Sequence, residues 1–294
     1  MILVTGATGS IGRPLVHQLR QDGAAVRALV RDEAKGRALG CEFLVGDFDD
    51  PASIVAALAG VDRLFLNGAG AQPAGGEQPM VRQQKSIIDA AVAAGVERVV
   101  KVSVWQAREG ERLAGGAHWQ IEQHLKASGL GWSILQPNGF MQNFITGQGS
   151  FTADGNLVGA YGDAAVSYID CADIAACAAA LLTGRAGDGE TFLLSGPEAL
   201  TYAQIAEKLS VALGRTVRYV NLTVDELIAA LTAQGLPPQF AEDVAVLTQG
   251  LAGGIAAPTT TAVRDLTGHS PRTFDEFLAA HHGALTALAS ASRR

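Results

Sequence analysis

Ile2-Leu3-Val4-Thr5-Gly6-Ala7-Thr8-Gly9-Ser10-Ile11-Gly12 opens the chain, and the reading of this stretch decides the fold. A short apolar run, the length of a strand, leads into three glycines spaced Gly-x-x-Gly-x-x-Gly, and a helix follows. Glycines at such a junction let the backbone turn tightly and come close to a pyrophosphate. The negative charge of that group then meets free amides and the positive end of the helix. Any glycine-rich turn could show the spacing for conformational reasons alone. Its place at the start of a strand-helix-strand unit is what predicts a dinucleotide crevice.

Further along, residues 25–32 read as a second strand with Arg31 at its carboxyl end. In such folds this position faces the adenosine ribose, where an acid favours a free 2′-hydroxyl and an arginine favours a 2′-phosphate. Arg31 therefore puts NADPH ahead of NADH, with a solvated loop or helix-cap cation as the plainer alternative. Residues 41–50 form a third strand ending in acids. Pro51 then starts a helix, Asp47 is placed to meet the adenine amine, and Asp49 and Asp50 are expected to cap that helix. A fourth strand over 61–66 runs into Asn67-Gly68-Ala69-Gly70, a loop that permits close backbone approach. A helix over 80–94 stops at Gly95, and 98–104 is a fifth strand. This alternation predicts an α/β fold, a Rossmann-type doubly wound parallel sheet with a smaller C-terminal substrate lobe. Ligands of such sheets lie beyond the carboxyl ends of the strands, where Gly6 to Gly12, Arg31, Asp47, Asn67 and Ser103 should converge.

The 294 residues suit one large domain with an appended lobe. We place the dinucleotide-binding domain at 1–150, with segments near 165–195 returning to it, and a mainly helical substrate lobe at 200–288. A formal net charge of -7 and the lack of any basic run argue against nucleic acid as a partner. No apolar stretch reaches the roughly 20 residues that span a bilayer, so no membrane role is expected. With the first strand starting at residue 2, there is no room for a secretory leader, and a cytoplasmic protein is expected. Cys41, Cys171 and Cys177 show no Cys-x-x-Cys spacing and read as packing residues, with no metal site implied. Residues 290–294 read as a frayed tail. A homodimer is admitted as the one protein partner.

Residues 4–12, Arg31, Gly46-Asp47, His118 to Glu122, Ser128-Gly129-Leu130 and Pro137 to Asn143 together resemble the NmrA-like branch of atypical short-chain dehydrogenases/reductases. Ser167 to Ala175 and Gly196 to Thr201 fit the same branch, so the resemblance runs nearly the whole chain. It implies an NAD(P)H-dependent oxidoreductase similar to quinone reductases and triphenylmethane-dye reductases, though the branch also holds redox-sensing regulators. The cofactor-binding set it implies is Gly6, Thr8, Gly9, Ser10, Ile11, Gly12, Arg31, Asp47, Phe48, Asn67, Gly68 and Ser103, with NADPH as the cofactor and NADH admitted.

Typical short-chain dehydrogenases carry Tyr-x-x-x-Lys, whose lysine lowers the phenol's pKa for proton transfer. That pair is absent here. The matching segment puts His118 and Glu122 at i,i+4 on one helical face, where imidazole and carboxylate are expected to meet. His118 is thus the candidate catalytic proton donor, with an ordinary helix-face histidine as the alternative. Lys101 and Ser103 share one face of the fifth strand. A quinone or conjugated dye accepts hydride into its own electron-poor system and makes little demand on an acid. Trp105, Phe140, Met141, Asn143 and Phe144 are the candidate contacts for such a small aromatic or quinone-like substrate. One narrower form is a tailoring step on an aromatic polyketide. A redox sensor without turnover and a cofactor-bound enzyme of non-redox chemistry are the readings from other classes.

Overall fold

The computed structural model describes residues 1–73, 76–146, 151–152, 154–184 and 186–291. Strand β1 (Ile2–Val4) is buried throughout, as a strand covered by helices on both sides must be. It is followed by α1 (Gly12–Gln21), β2 (Val26–Val30), α2 (Glu33–Arg37), β3 (Glu42–Val45), α3 (Pro51–Leu58), β4 (Arg63–Leu66), α4 (Pro79–Ala94), β5 (Arg98–Val102), α5 (Leu113–Ala127) and β6 (Gly131–Pro137). Beyond lie α6 (Asn143–Thr146), β7 (Leu157–Gly159), β8 (Ala165–Val166), α7 (Cys171–Thr183), β9 (Glu190–Leu194), β10 (Leu200–Thr201) and α8 (Tyr202–Leu213). The chain finishes with β11 (Tyr219–Asn221), α9 (Val224–Ala233), α10 (Pro238–Ala252), α11 (Ala262–Thr267), α12 (Phe274–Ala280) and α13 (His282–Ala291).

The local signals act as the sequence suggests. Asp50 accepts the amide of Ala52 and Pro51 opens α3, while Gly95 closes α4 in the left-handed conformation at φ +74°. Thr201, Thr223 and Thr273 each form a reciprocal capping box at the start of α8, α9 and α12. Asp49, expected as a second cap of α3, instead binds Arg82 at 2.6 Å and Gln83 at 2.8 Å, both on α4. These hydrogen bonds, Arg82's first, hold its carboxyl below the usual range.

Two compact units result. The first comprises 1–137, 171–194 and 262–269, and the second 138–170, 195–261 and 270–294. The domain end expected at residue 150 falls outside the described residues, as does the expected tail from 292 on. In the first unit seven parallel strands run in the order β3-β2-β1-β4-β5-β6-β9, the doubly wound Rossmann-type sheet expected. Leu3, Ile54, Leu58, Leu64, Leu66, Ile87, Ile88, Ile121 and Leu125 join β1 and β4 to α3, α4 and α5 in one core. Each such side chain contributes roughly 1.5–3 kcal/mol by leaving water.

The second unit pairs β7 with β11 and β8 with β10. Its core is aromatic. Phe144 stands edge-on to Tyr168, Tyr202 and Phe274, with centroids 5.0, 5.9 and 5.4 Å away, the geometry that ring quadrupoles favour. Among the described residues no helix is long and apolar enough to cross a membrane.

Candidate functional site

In the first unit the order of strands reverses between β1 and β4, the switch point beyond whose carboxyl ends sheets of this kind hold their ligands. The loops after these two strands are tied together by Thr5. Its hydroxyl lies 2.8 Å from the carbonyl of Asn67 and accepts that residue's amide at 2.9 Å. Gly6 has φ +61°, and a Cβ there would stand 3.0 Å from the Asn67 carbonyl. At Gly12 the added atom would come within 2.2 Å of the Gly6 carbonyl, so two of the three glycines are needed by the turn itself. Gly9 differs. It is exposed, and its nearest neighbour to an added Cβ is 3.3 Å away, so its bareness leaves the outer approach to the loop open. No side chain caps α1, whose N-cap residue is Ile11; in its first turn the Arg13 amide bonds the Gly9 carbonyl at 3.1 Å and Pro14 has no amide hydrogen, so the helix end receives an anion through its dipole and the glycine loop.

The other expected cofactor residues lie along the same edge. Arg31 follows β2 and is exposed, while Asp32, not Arg31, caps α2 by accepting the amide of Lys35 at 3.0 Å. Asp47 follows β3 and accepts the amide of Asp49 at 2.9 Å. Gly68 follows β4, where an added Cβ would meet the Phe48 ring at 3.1 Å and the Gln84 amide nitrogen at 3.2 Å. Gln84 is buried on α4, and its Oε1 has no hydrogen-bond partner among the described residues. This orphaned acceptor beside the loop, the uncapped helix end and the bare Gly9 all suit a dinucleotide with amides, hydroxyls and phosphates to offer. Sequence reasoning missed Gln84. The signal was there in a polar residue on the apolar spacing of Met80, Val81, Ile87, Ile88 and Ala91.

Beyond β5 the expected pairing is corrected. His118 and Glu122 both lie on the buried face of α5, yet they do not bond each other. Glu122 accepts from the Ser103 hydroxyl and from the Gln136 amide at 2.9 Å, with Lys126 Nζ 3.7 Å from its other oxygen. These donors from the β5 loop and β6 hold the carboxylate one turn away from the imidazole. His118 Nδ1 lies instead 2.8 Å from Lys101 Nζ, which also donates to the Val102 carbonyl at 3.0 Å. Lys101 is 0% exposed and His118 7%. Burial pulls the lysine down to about 7, against the opposing charge of Glu122. Burial, then the neighbouring Lys101, pushes His118 well below the ordinary imidazole range, so its ring is neutral at physiological pH. Ser103, expected at the cofactor, spends its hydroxyl on Glu122.

Of the expected substrate contacts, Trp105 is half-buried in the first unit, and Phe140 and Asn143 are half-buried in the second. Met141 and Phe144 are each 1% exposed, and their side chains are committed to the aromatic core of the second unit. The hydrophobicity that suggested a pocket wall belongs there to packing.

A glycine loop of this build at the switch point of a seven-stranded parallel sheet is that of a dinucleotide-binding domain. The chain belongs to the NmrA-like family, whose model matches residues 1–278. It is 35% identical to the NAD(P)H azoreductase of Xenophilus azovorans over 98% of this chain and 100% of that one. It is also 35% identical to the (4-alkanoyl-5-oxo-2,5-dihydrofuran-3-yl)methyl phosphate reductase of Streptomyces griseus, over 96% of this chain and 98% of that one. Among solved structures it resembles the NADPH-dependent quinone oxidoreductase of Escherichia coli complexed with NADPH, with a TM-score of 0.82 and 29% identity, covering 95% of this chain and 99% of that one. The chain is an NAD(P)H-dependent oxidoreductase, and the residues along the crevice fit its cofactor.

Proposed function

We propose that this chain reduces quinones and related conjugated, electron-poor aromatic compounds, with NADPH as the preferred reductant. Gly6, Thr8, Gly9, Ser10, Ile11 and Gly12 cradle the pyrophosphate, and Arg31 meets the 2′-phosphate with its planar donors. Asp47 and Phe48 serve the adenosine half, and Asn67 and Gly68 serve the approach to the nicotinamide, while Ser103 acts there through Glu122. The bound nicotinamide supplies the hydride, and the protein supplies orientation and exclusion of water.

The observation that carries this reading is the neutral, buried imidazole of His118 where typical relatives hold a phenol beside a lysine. With Nδ1 facing Lys101, its proton resides on Nε2, an assignment made from that hydrogen bond. A neutral imidazole is a weak acid. It suits an acceptor whose reduced anion is stabilised by its own conjugation and takes a proton at leisure. The names of the relatives, azoreductase and quinone oxidoreductase, support the same class of acceptor. Trp105, half-buried in the first unit, keeps enough exposure to touch an acceptor. Tailoring of an aromatic polyketide is the narrow form of the proposal.

The test is NADPH oxidation against a panel of simple quinones, azo dyes and polycyclic aromatic quinones. Wild type is expected to turn over the first two classes. If His118 gives its proton as hydride arrives, His118→Phe should lower kcat by roughly 10²-fold with NADPH affinity intact, the scale of a positioned acid; for an acceptor whose anion needs no immediate proton the same change should alter mainly acceptor affinity. Wild type that binds NADPH yet oxidises it no faster than buffer across the panel would overturn the proposal in favour of a sensor.

A further inference from the structure

Lys101 is a cation shut away from water, and the chemistry above gives it no task. Burying an ammonium is costly unless it is paired, and a site that needed only packing would be better filled by methionine or leucine. Its Nζ instead faces the one nitrogen of His118 that a proton donor does not use, at 2.8 Å. We propose that Lys101 is a positioning residue that holds His118 in the Nε2-protonated tautomer and refills its proton through Nδ1. This rests on the reading of His118 as the donor.

The step balances without an imidazolium. The Nε2–H bond breaks as its proton passes to the oxygen or nitrogen anion of the reduced acceptor. One Nζ–H bond of Lys101 breaks as Nδ1–H forms, which leaves a neutral amine and a neutral ring of the other tautomer. As solvent protonates Nε2, the Nδ1 proton returns in concert to Nζ, so the ring stays neutral and the pair is restored. The charge of the pair falls from +1 to zero as the proton leaves and returns to +1 on reprotonation, and it resides on Lys101 and never on the ring, as a site that disfavours imidazolium requires. The charge acting on Lys101 is that of Glu122, and the charge acting on His118 is that of Lys101. Glu122 is in turn held by Ser103 from the β5 loop and Gln136 from β6, with Lys126 of α5 beside it. A lysine held near 7 gives up a proton at neutral pH, which an ordinary lysine does not.

Nitrogen-15 NMR of histidine-labelled protein reads the coupling without turnover. Wild type should show His118 protonated at Nε2 and accepting at Nδ1, with a step in the Nδ1 shift at about pH 7 as Lys101 titrates. In Lys101→Met, similar in length and apolar, the step should vanish and the two nitrogens should move toward a mixed-tautomer average. Its kcat should fall on the order of tenfold, the scale of a lost orienting partner, with acceptor KM and NADPH affinity little changed. Wild-type kcat should decline as pH rises through about 7 and the reservoir empties, and the variant should lose that limb. An Nδ1 shift in wild type that stays flat across this range overturns the proposal even if the variant does not fold. So does a folded Lys101→Met with a wild-type pH profile. If His118→Phe turns over normally, it is the donor reading that fails; if His118→Phe is impaired and Lys101→Met is not, the relay alone fails.

Discussion

The two ends of the crevice in the first unit are built on opposite principles. At the β2 end, Arg31 and Gly9 are exposed, and what they do depends on a ligand arriving. At the β5 end, Lys101, Ser103, His118, Glu122 and Gln136 are buried and mutually bonded. Exposed groups are solvated and cost the folded chain little, so they can be kept for ligand affinity alone. Buried polar groups must be satisfied before any ligand comes, and their protonation is then set by one another. The open end therefore decides which dinucleotide binds, and the closed end decides where a proton sits.

The largest effect should come from breaking the open end at its barest point. Gly9→Val adds a side chain at an exposed position whose Cβ would stand 3.3 Å from the Gly6 carbonyl, a contact relieved by a shift of a few tenths of an ångström, so the fold should survive while the approach of a pyrophosphate is blocked. NADPH affinity measured by calorimetry should fall by about 100-fold or more, roughly 2.7 kcal/mol, with circular dichroism unchanged. Gly12→Ala is the contrasting control. Its Cβ would meet backbone at 2.2 Å, and here stability should fall together with binding. Full NADPH affinity in folded Gly9→Val would show that the loop is a turn and nothing more.

At the closed end the expected loss is one of stability. Ser103→Ala removes a donor from Glu122 and leaves a buried carboxylate oxygen with only Gln136 to serve it. Chemical denaturation should show a loss of about 1.5–3 kcal/mol, the worth of one hydrogen bond to a charged group, with little change in NADPH affinity. An equal loss of cofactor affinity at wild-type stability would mean that the hydroxyl serves the ligand after all, and the contrast between the two ends would blur.

How legible each end was in the sequence follows from the same contrast. The glycine loop, the strand alternation and Arg31 after β2 depend on neighbours close in sequence, and all are where their spacing puts them. The Lys101–His118 and Ser103–Glu122 bonds join residues 17 and 19 positions apart. Helical spacing pointed to a His118–Glu122 contact because the i,i+4 rule sees only one helix, whereas β5 supplied Lys101 for His118 and the loop after it supplied Ser103 for Glu122. Met141 and Phe144 misled for a related reason. An aromatic residue after a strand end reads alike as pocket wall or core, and only the ring partners Tyr168, Tyr202 and Phe274 decide.

The smallest change should come from Arg31. The side chain is exposed and does not cap α2, so its replacement should leave folding stability within experimental error. Whatever it contributes must appear as a difference between cofactors, because NADPH and NADH differ only by the 2′-phosphate a guanidinium can clasp with two parallel donors. In water that contact is partly screened, and about tenfold in affinity, or 1.4 kcal/mol, is a fair expectation. Arg31→Glu should therefore weaken NADPH by about that factor, leave NADH nearly unchanged and reverse the preference, and added salt should narrow the wild-type gap. Calorimetric titration of both cofactors against both proteins measures all of this. An NADPH-to-NADH affinity ratio unmoved by the substitution would assign Arg31 to solvent and send the search for the phosphate's partner elsewhere along the open end.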